Sequence, residues 1–212
     1  MKTNRFLSAA IFGFALAFTF SCSSGGGDDP DNGGNGQGGS FNENSQVYNF
    51  DGRNIGTAYK GNGDIKIELI GNGDGKTLNA GSVTNGIVKL ELPTTIPEEY
   101  LSNSYFCDAN SPEDAKYTES RLNIYNNEKL IGGLIAAYLG NDYAYSIIFL
   151  HSTKAAKITC ESERYKYDID AKAGWNKVYL YLKKTEKNGE ELQMSTNDFL
   201  KKAGELKWIL FR

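Results

Sequence analysis

Short stretches in which apolar and polar residues alternate recur through most of this chain, and they constrain its fold more than any other feature. Alternation with a period of two places every second side chain on the same face of a strand. Residues 64–70 place Ile65, Ile67 and Leu69 on one face, and residues 86–92 repeat the pattern. Each stretch is therefore predicted to be a strand that turns one face toward a core.

Two turn signals join further strands into hairpins. Gly140-Asn141-Asp142 separates two apolar stretches, and Asn188-Gly189 separates two alternating ones. Asn-Gly is the strongest short hairpin signal, because its positions tolerate the positive φ angles that a two-residue turn needs. The strands expected from turns and composition are 130–139 with 143–151, 178–185 with 190–194, and also 122–125, 158–160, 164–169, 175–183 and 206–211.

Helical signals are few in comparison. Thr196-Asn197-Asp198 resembles a helix N-cap with an acidic first turn, which predicts a short helix ending near Lys202 before Gly204. Residues 97–101 predict a single turn. Many strands at this spacing predict a mainly β domain, an antiparallel β-sandwich or an open barrel with one or two short helices.

The first 22 residues have the pattern of an export signal. Lys2 and Arg5 give a positive start, and residues 6–20 form an apolar run too short to span a bilayer comfortably. The run ends at Thr19-Phe20-Ser21-Cys22, which resembles the lipobox of bacterial lipoproteins, in which a small residue precedes a cysteine that becomes diacylated. Its last two residues fit that pattern and its first two depart from it, as in the relaxed lipoboxes of the Bacteroidota. The resemblance implies that Cys22 carries lipid.

A tract rich in Gly, Asp and Asn follows Cys22 and runs to about residue 40. It has little to bury, so we expect a flexible tether. Its Asp28 and Asp29 resemble the surface-export signal of some Bacteroidota lipoproteins, and they equally fit solvated linker charge. The expected regions are a signal peptide at 1–21, the lipidated cysteine and tether at 22–45, and one β-rich domain at 46–212. The expected location is the bacterial outer membrane or cell surface.

The charge balance argues against one class of partner. The whole chain has a net charge of −3, and without residues 1–21 it has 21 basic and 26 acidic residues, or −5. Nucleic-acid binding needs a basic face, so we expect no nucleic-acid partner. The expected partners are the membrane, through the lipid anchor, and a glycan or an envelope protein.

No motif predicts catalysis, a metal site or a cofactor. Gly75-Lys76-Thr77 lacks the earlier glycine of a phosphate-binding loop, since position 70 is Ile70, and no helical pattern follows. Gly-Asn-Gly-Asp at 61–64 and 71–74 offers calcium-type oxygens but lacks a spaced run of acids ending in a glutamate. We interpret both Gly-Asn-Gly-Asp stretches as hairpin turns. His151, the single histidine, is interpreted as structural.

Aromatic residues supply the candidate binding positions. Tyr165 and Tyr167 share one strand face, and Tyr179 and Tyr181 share another just after Trp175. Aromatic faces with polar tips suit sugar rings or a protein partner, although such pairs also pack across strands inside cores. Residues 173–179 are also similar to a Gly-Trp-Asn turn of β-sandwich lipoproteins from the Bacteroidota and spirochaetes.

Cys107 and Cys160 are predicted to form a disulfide. Once Cys22 is lipidated they are the two remaining cysteines, and an exported protein matures outside the reducing cytoplasm. The alternative is that both thiols are free. The sequence predicts a non-enzymatic, lipid-anchored envelope protein with a binding or structural role. The alternatives are a surface glycan-binding module of a polysaccharide-uptake system and an envelope hydrolase.

Overall fold

The computed structural model describes residues 41–52, 54–70, 77–103, 114–140, 142–185 and 189–212. Its strands are β1 (Val47–Phe50), β2 (Ile55–Ala58), β3 (Gly63–Ile70), β4 (Thr77–Thr84), β5 (Ile87–Leu90), β6 (Tyr117–Asn126), β7 (Lys129–Leu139), β8 (Tyr143–Ser152), β9 (Ala156–Glu161), β10 (Tyr165–Ala171), β11 (Gly174–Thr185), β12 (Gly189–Ser195) and β13 (Lys207–Phe211). Two short 3₁₀ turns, Glu98–Tyr100 and Ala203–Glu205, are the helical elements of these ranges. The predicted mainly β class is confirmed.

Most predicted strands are present with shifted ends. The hairpins β7–β8 and β11–β12 form in antiparallel register, although residues 141 and 186–188 of their turns lie outside the described residues and Gly189 is the first residue of β12. The predicted single turn at 97–101 is the 3₁₀ turn Glu98–Tyr100. The strands β1, β2 and β4 were not predicted individually. The 61–64 hairpin is wrong, because β2 pairs with β1 whereas β3 pairs with β4 and β6. Residues 71–74, which include the second Gly-Asn-Gly-Asp, lie outside the described residues.

Three central strands form a junction, because β6, β7 and β8 each pair with the other two. The start of β6 pairs with the end of β8, the rest of β6 pairs with β7, and the end of β7 pairs with the start of β8. Three arms extend from this junction: β3–β4–β5 from β6, β13–β1–β2 from β7, and β11–β12–β10–β9 from β8. All pairings are antiparallel except β1–β13 and β10–β12, which are parallel.

The described strands form a mixed sheet that does not close into a barrel and is consistent with the predicted β-sandwich. A single bridge between Gln46 and Ile87 nevertheless ties the start of β1 to β5. The Gln46 side-chain amide donates to the carbonyls of Val47, Tyr59 and Gly86 at 2.7–3.2 Å. This glutamine therefore holds three chain segments together at one edge.

The β8–β11 layer separates two hydrophobic cores. The first core lies on the face of Tyr145, Ile147 and Phe149, and the second lies on the face of Leu150 and Val178. Each large apolar side chain that is fully buried contributes about 1.5–3 kcal/mol to folding. Other members of the first core include Phe41, Ile65, Ile67, Ile124, Trp208 and Leu210, and those of the second include Tyr117, Ile158, Tyr167, Ile169, Leu192 and Met194.

The predicted helix at 196–202 is wrong, although its cap signal has a structural counterpart. The Asp198 carboxylate accepts hydrogen bonds from the backbone N–H groups of Lys202 and Ala203, at 3.0 and 2.9 Å, and so caps the 3₁₀ turn Ala203–Glu205. Lys201 has φ +53°, a left-handed conformation that interrupts a helix. Phe199 packs against the first core instead, so tertiary packing replaces the local helix.

The packed chain begins before the expected domain start at residue 46. Phe41, placed in the tether by composition, is 6% exposed, and its ring edge meets Trp208 with centroids 5.3 Å apart. The Trp208 indole N–H donates to the Glu43 carbonyl at 2.9 Å. Residues 41–46 are therefore part of the folded domain. Cys22, the export signal and the tether up to residue 40 lie outside the described residues.

Candidate functional site

The five candidate aromatic residues do not form one surface. Tyr165 and Tyr167 lie on β10 with the second core, where Tyr167 is buried and Tyr165 is half-buried. Tyr179, Tyr181 and Trp175 lie on β11 and pack against the first core, on the other side of the β8–β11 layer. The structure therefore divides the predicted patch between two cores.

Tyr179 and Tyr181 are largely engaged in packing. Tyr145 stacks on Tyr179 with ring centroids 5.8 Å apart and planes 10° from parallel. Phe199 meets Tyr145 and Tyr181 edge-on. The Tyr145 hydroxyl donates to Asp198 at 2.7 Å, and burial together with that bond raises the Tyr145 pKa far above its ordinary value. This cluster fastens the segment after β12 onto the sheet.

Trp175 is held differently, by a rigid turn at the start of β11. Gly174 has φ +92°, which glycine adopts without strain. The Asn176 side chain accepts from the Lys172 N–H at 2.8 Å and donates to the Lys172 and Gly174 carbonyls at 2.8 and 2.9 Å. The Gly-Trp-Asn stretch found in the sequence therefore holds the β10–β11 turn together through hydrogen bonds within the turn.

The Trp175 ring is also held by a residue outside this turn. Its indole N–H donates to the Pro93 carbonyl at 2.7 Å. On β8, directly opposite, the His151 ring meets it edge-on with centroids 5.2 Å apart. Trp175 is only half-buried, so part of the ring stays accessible to solvent.

A cleft of about 220 Å³ lies beside this ring. Its apolar walls are formed by Leu90 at the end of β5, Leu92 just after that strand, Phe149 of β8, and Trp175 itself. Glu43, from the segment before β1, and Lys177 provide charged groups at the same cleft. The cleft thus lies between the β8–β11 layer and two irregular segments that cover the first core.

The two charges of the cleft form an ion pair. The Lys177 ammonium lies 2.5 Å from the Glu43 carboxylate, and the side chains are 41% and 32% exposed. A pair this exposed contributes at most about 1 kcal/mol to stability. Its main consequence is that the two charges at the cleft neutralise each other. The ammonium and the carboxylate can still form further hydrogen bonds.

His151 has no arrangement typical of catalysis around it. Burial lowers its pKa below the ordinary value, and its Nδ1 is buried without a hydrogen-bond partner in the parts of the chain that are described. An activated nucleophile needs a base within hydrogen-bond reach. Among the same residues no three His, Cys, Asp or Glu side chains gather as a metal site.

The remaining sequence predictions have mixed outcomes. Cys160 is half-buried on β9 opposite Tyr167. Cys107 lies outside the described residues, so the Cys107–Cys160 disulfide stays a prediction. The Gly-Trp-Asn stretch pointed to Trp175 and its neighbour Lys177, but nothing local marked Glu43 or Leu90, because the fold brings them to the cleft from two other segments.

The comparisons with known proteins add no relatives. No family model matches the chain, and neither a curated protein nor a solved structure matches it. Among the described residues, no helix has the length and apolarity required to cross a bilayer.

Proposed function

We propose that this protein is a lipid-anchored envelope protein that acts by binding a ligand in the cleft beside Trp175. The observation that carries the proposal is the cleft itself, in which a half-exposed, rigidly held tryptophan meets apolar walls and one ion pair. Apolar walls with a few placed polar groups are typical of small-ligand sites. The export pattern ending at Cys22 supports the anchor.

The position of the cleft suits a protein held at a membrane. Glu43, which lines the cleft, is two residues from Phe41, the first described residue and a buried one. A flexible tether of about 19 residues between Cys22 and Phe41 spans roughly 25 Å. The cleft would therefore face ligands within a few nanometres of the bilayer.

An envelope hydrolase is the alternative from another class, and the geometry favours it less. It would need His151 beside a carboxylate or a hydroxyl nucleophile. In the described structure His151 packs against Trp175, and its Nδ1 has no partner. Binding uses the residues that are present at the cleft without further groups.

The anchor is tested by labelling cells with a clickable fatty acid. We expect the wild type to take up label and Cys22→Ala to lose it. Label that persists in Cys22→Ala would show that the anchor assignment is wrong.

The binding role is tested with the full chain, purified in detergent, in a glycan array and in pull-downs from envelope extracts. We expect capture to fall at least about 10-fold in Trp175→Phe, which keeps an aromatic ring but removes the indole. Lys172→Met, an exposed position in the same turn, is the matched control and should leave capture unchanged. Capture that is unaffected by Trp175→Phe would contradict the proposed site.

A further inference from the structure

The electrostatics of the cleft restrict the charge of its ligand. Lys177 and Glu43 are the two charged residues among those that line it, and they already neutralise each other at 2.5 Å. A charged ligand would compete with one member of this half-exposed pair and leave the other without its counter-charge, which should weaken its binding by up to about 5-fold. A neutral ligand with hydroxyl groups can accept from the ammonium and donate to the carboxylate without breaking the pair.

The walls of the cleft restrict the shape of the ligand. Leu90, Leu92, Phe149 and Trp175 present only apolar surface apart from the indole N–H, and that N–H is occupied by the Pro93 carbonyl. An apolar wall next to a donor–acceptor pair suits a molecule that has one apolar face and a polar edge. A sugar ring has that distribution, with C–H groups on a face and hydroxyl groups around the rim.

The size of the cleft restricts how much of the ligand it can enclose. Sites for drug-sized ligands have volumes of about 300–1,000 Å³, whereas this cleft has about 220 Å³. It can therefore hold one ring, and the rest of a longer chain would extend into solvent. The Gly174–Asn176 turn and the Pro93 bond hold Trp175 in place before binding, so little conformational entropy is lost when a ligand docks.

We infer that the cleft binds a single neutral sugar ring, with its apolar face toward Trp175 and its hydroxyl groups toward Glu43 and Lys177. This inference rests on the proposed binding function and names its ligand class. For the about twelve non-hydrogen atoms of one hexose unit the dissociation constant is on the order of 1 mM, so strong capture of a glycan would come from several anchored copies.

The experiment uses the indole N–H signals in ¹⁵N NMR spectra of the full chain in detergent. The chain has two tryptophans, and Trp175→Phe assigns their signals by deletion. We expect methyl glucoside or methyl galactoside to shift the Trp175 signal saturably. Glucuronate and glucosamine, which have similar rings with a charge, should bind up to about 5-fold more weakly.

A double variant tests the ion pair. Glu43→Leu with Lys177→Met keeps the cleft neutral but removes the donor and the acceptor, and sugar affinity should fall about 10-fold. The matched control is Glu161→Leu with Lys166→Met, an exposed ion pair on β9 and β10 away from the cleft. That control should bind sugars as the wild type does.

Each negative result has a distinct meaning. If no neutral sugar shifts the Trp175 signal at tens of millimolar, or if charged sugars bind equally well, the ligand class is wrong. Capture in pull-downs that still depends on Trp175 would then preserve the proposed binding function with another ligand. If neither sugars nor extracts yield Trp175-dependent binding, both proposals fail.

Discussion

The two cores on either side of the β8–β11 layer are closed in different ways. Among the described residues the second core is built mainly from paired strands, since β12, β10 and β9 continue the sheet and contribute apolar residues such as Ile158, Ile169 and Met194. The first core is covered in part by irregular segments that contribute Phe41, Leu92 and Phe199. Strand pairing satisfies the backbone and leaves few gaps, whereas irregular cover meets the sheet unevenly.

The candidate site follows from that difference. The cleft lies where the segments around Glu43 and Leu92 meet the β8–β11 layer. An opening at the edge of an irregular cover exposes side chains without disturbing the sheet that positions them. The first core therefore adds a candidate binding role to its structural role.

The largest effect should come from removing the aromatic centre of the first core. Trp208 is fully buried, contacts Phe41 and donates to the Glu43 carbonyl. We expect Trp208→Ala to lower the free energy of unfolding by about 4 kcal/mol, measured by urea denaturation. It should also lower amide-exchange protection in residues 41–47, because the packed segment loses its main contact.

The matched change in the second core is Ile158→Ala, also at a fully buried side chain. Its expected cost is about 3 kcal/mol, and protection in residues 41–47 should stay as in the wild type. If both variants lose that protection equally below their unfolding transitions, the two cores open together. The distinction between them would then have no energetic basis.

Period-two alternation predicted β3 and β5, whereas the longer β7 and β8 were predicted from their turn and their composition. Ile65 and Ile67 of β3 are fully buried, as their spacing required. The short strands β1 and β2 were not predicted because their residues do not alternate between apolar and polar. In β4 the left-handed Gly81, with φ +125°, lies where the pairing with β3 shifts register, and such a bulge interrupts the alternation.

The candidate site was less predictable, because its members meet only in the folded chain. Trp175 could be found from the local Gly-Trp-Asn turn. Tyr165 and Tyr179 pack against different cores because of where β10 and β11 lie in the arm that extends from β8. Alternation within one strand does not show that placement. The helix at 196–202 failed because Phe199 and Asp198 have stronger tertiary partners than a helix would supply.

A disulfide at Cys160 would increase the difference between the two cores, because it would stabilise the second one. Cys160 lies on β9, directly opposite Tyr167 of that core. If it pairs with Cys107, the closed loop of 53 residues should stabilise the fold by up to about 4 kcal/mol, and reduction or Cys160→Ala should remove that amount in urea denaturation. Mass spectrometry of a non-reduced digest of protein from the native envelope identifies the bond. Two separately alkylated cysteine peptides would contradict it.

A smaller effect should come from the turn that carries Trp175 between the cores. A Cβ at Gly174 meets no atom within 4 Å, so the cost of Gly174→Ala is conformational strain from φ +92° alone, about 1–2 kcal/mol. Gly133→Ala on β7 is the control, since that site has ordinary φ and room for a methyl group, and its stability should change little. We also expect only Gly174→Ala to shift the Trp175 indole signal. Equal effects of both variants would show that the turn is not specially constrained.

The smallest expected effect is a pH dependence from His151 beside the cleft. Burial alone lowers its pKa below the ordinary value of about 6.5. Between the lowered pKa and about 6.5 the unfolded chain binds more protons than the folded one, so stability rises with pH across that window and falls on acidification.

His151→Phe keeps an aromatic ring against Trp175 and removes the titrating group. Urea denaturation between pH 5 and 7 should therefore show a weaker pH dependence in His151→Phe than in the wild type. Because Nδ1 is buried without a described partner, the variant should be at least as stable at neutral pH. Parallel pH curves for the two proteins would mean that His151 stays solvated, and the packed edge of the first core would then end before Trp175.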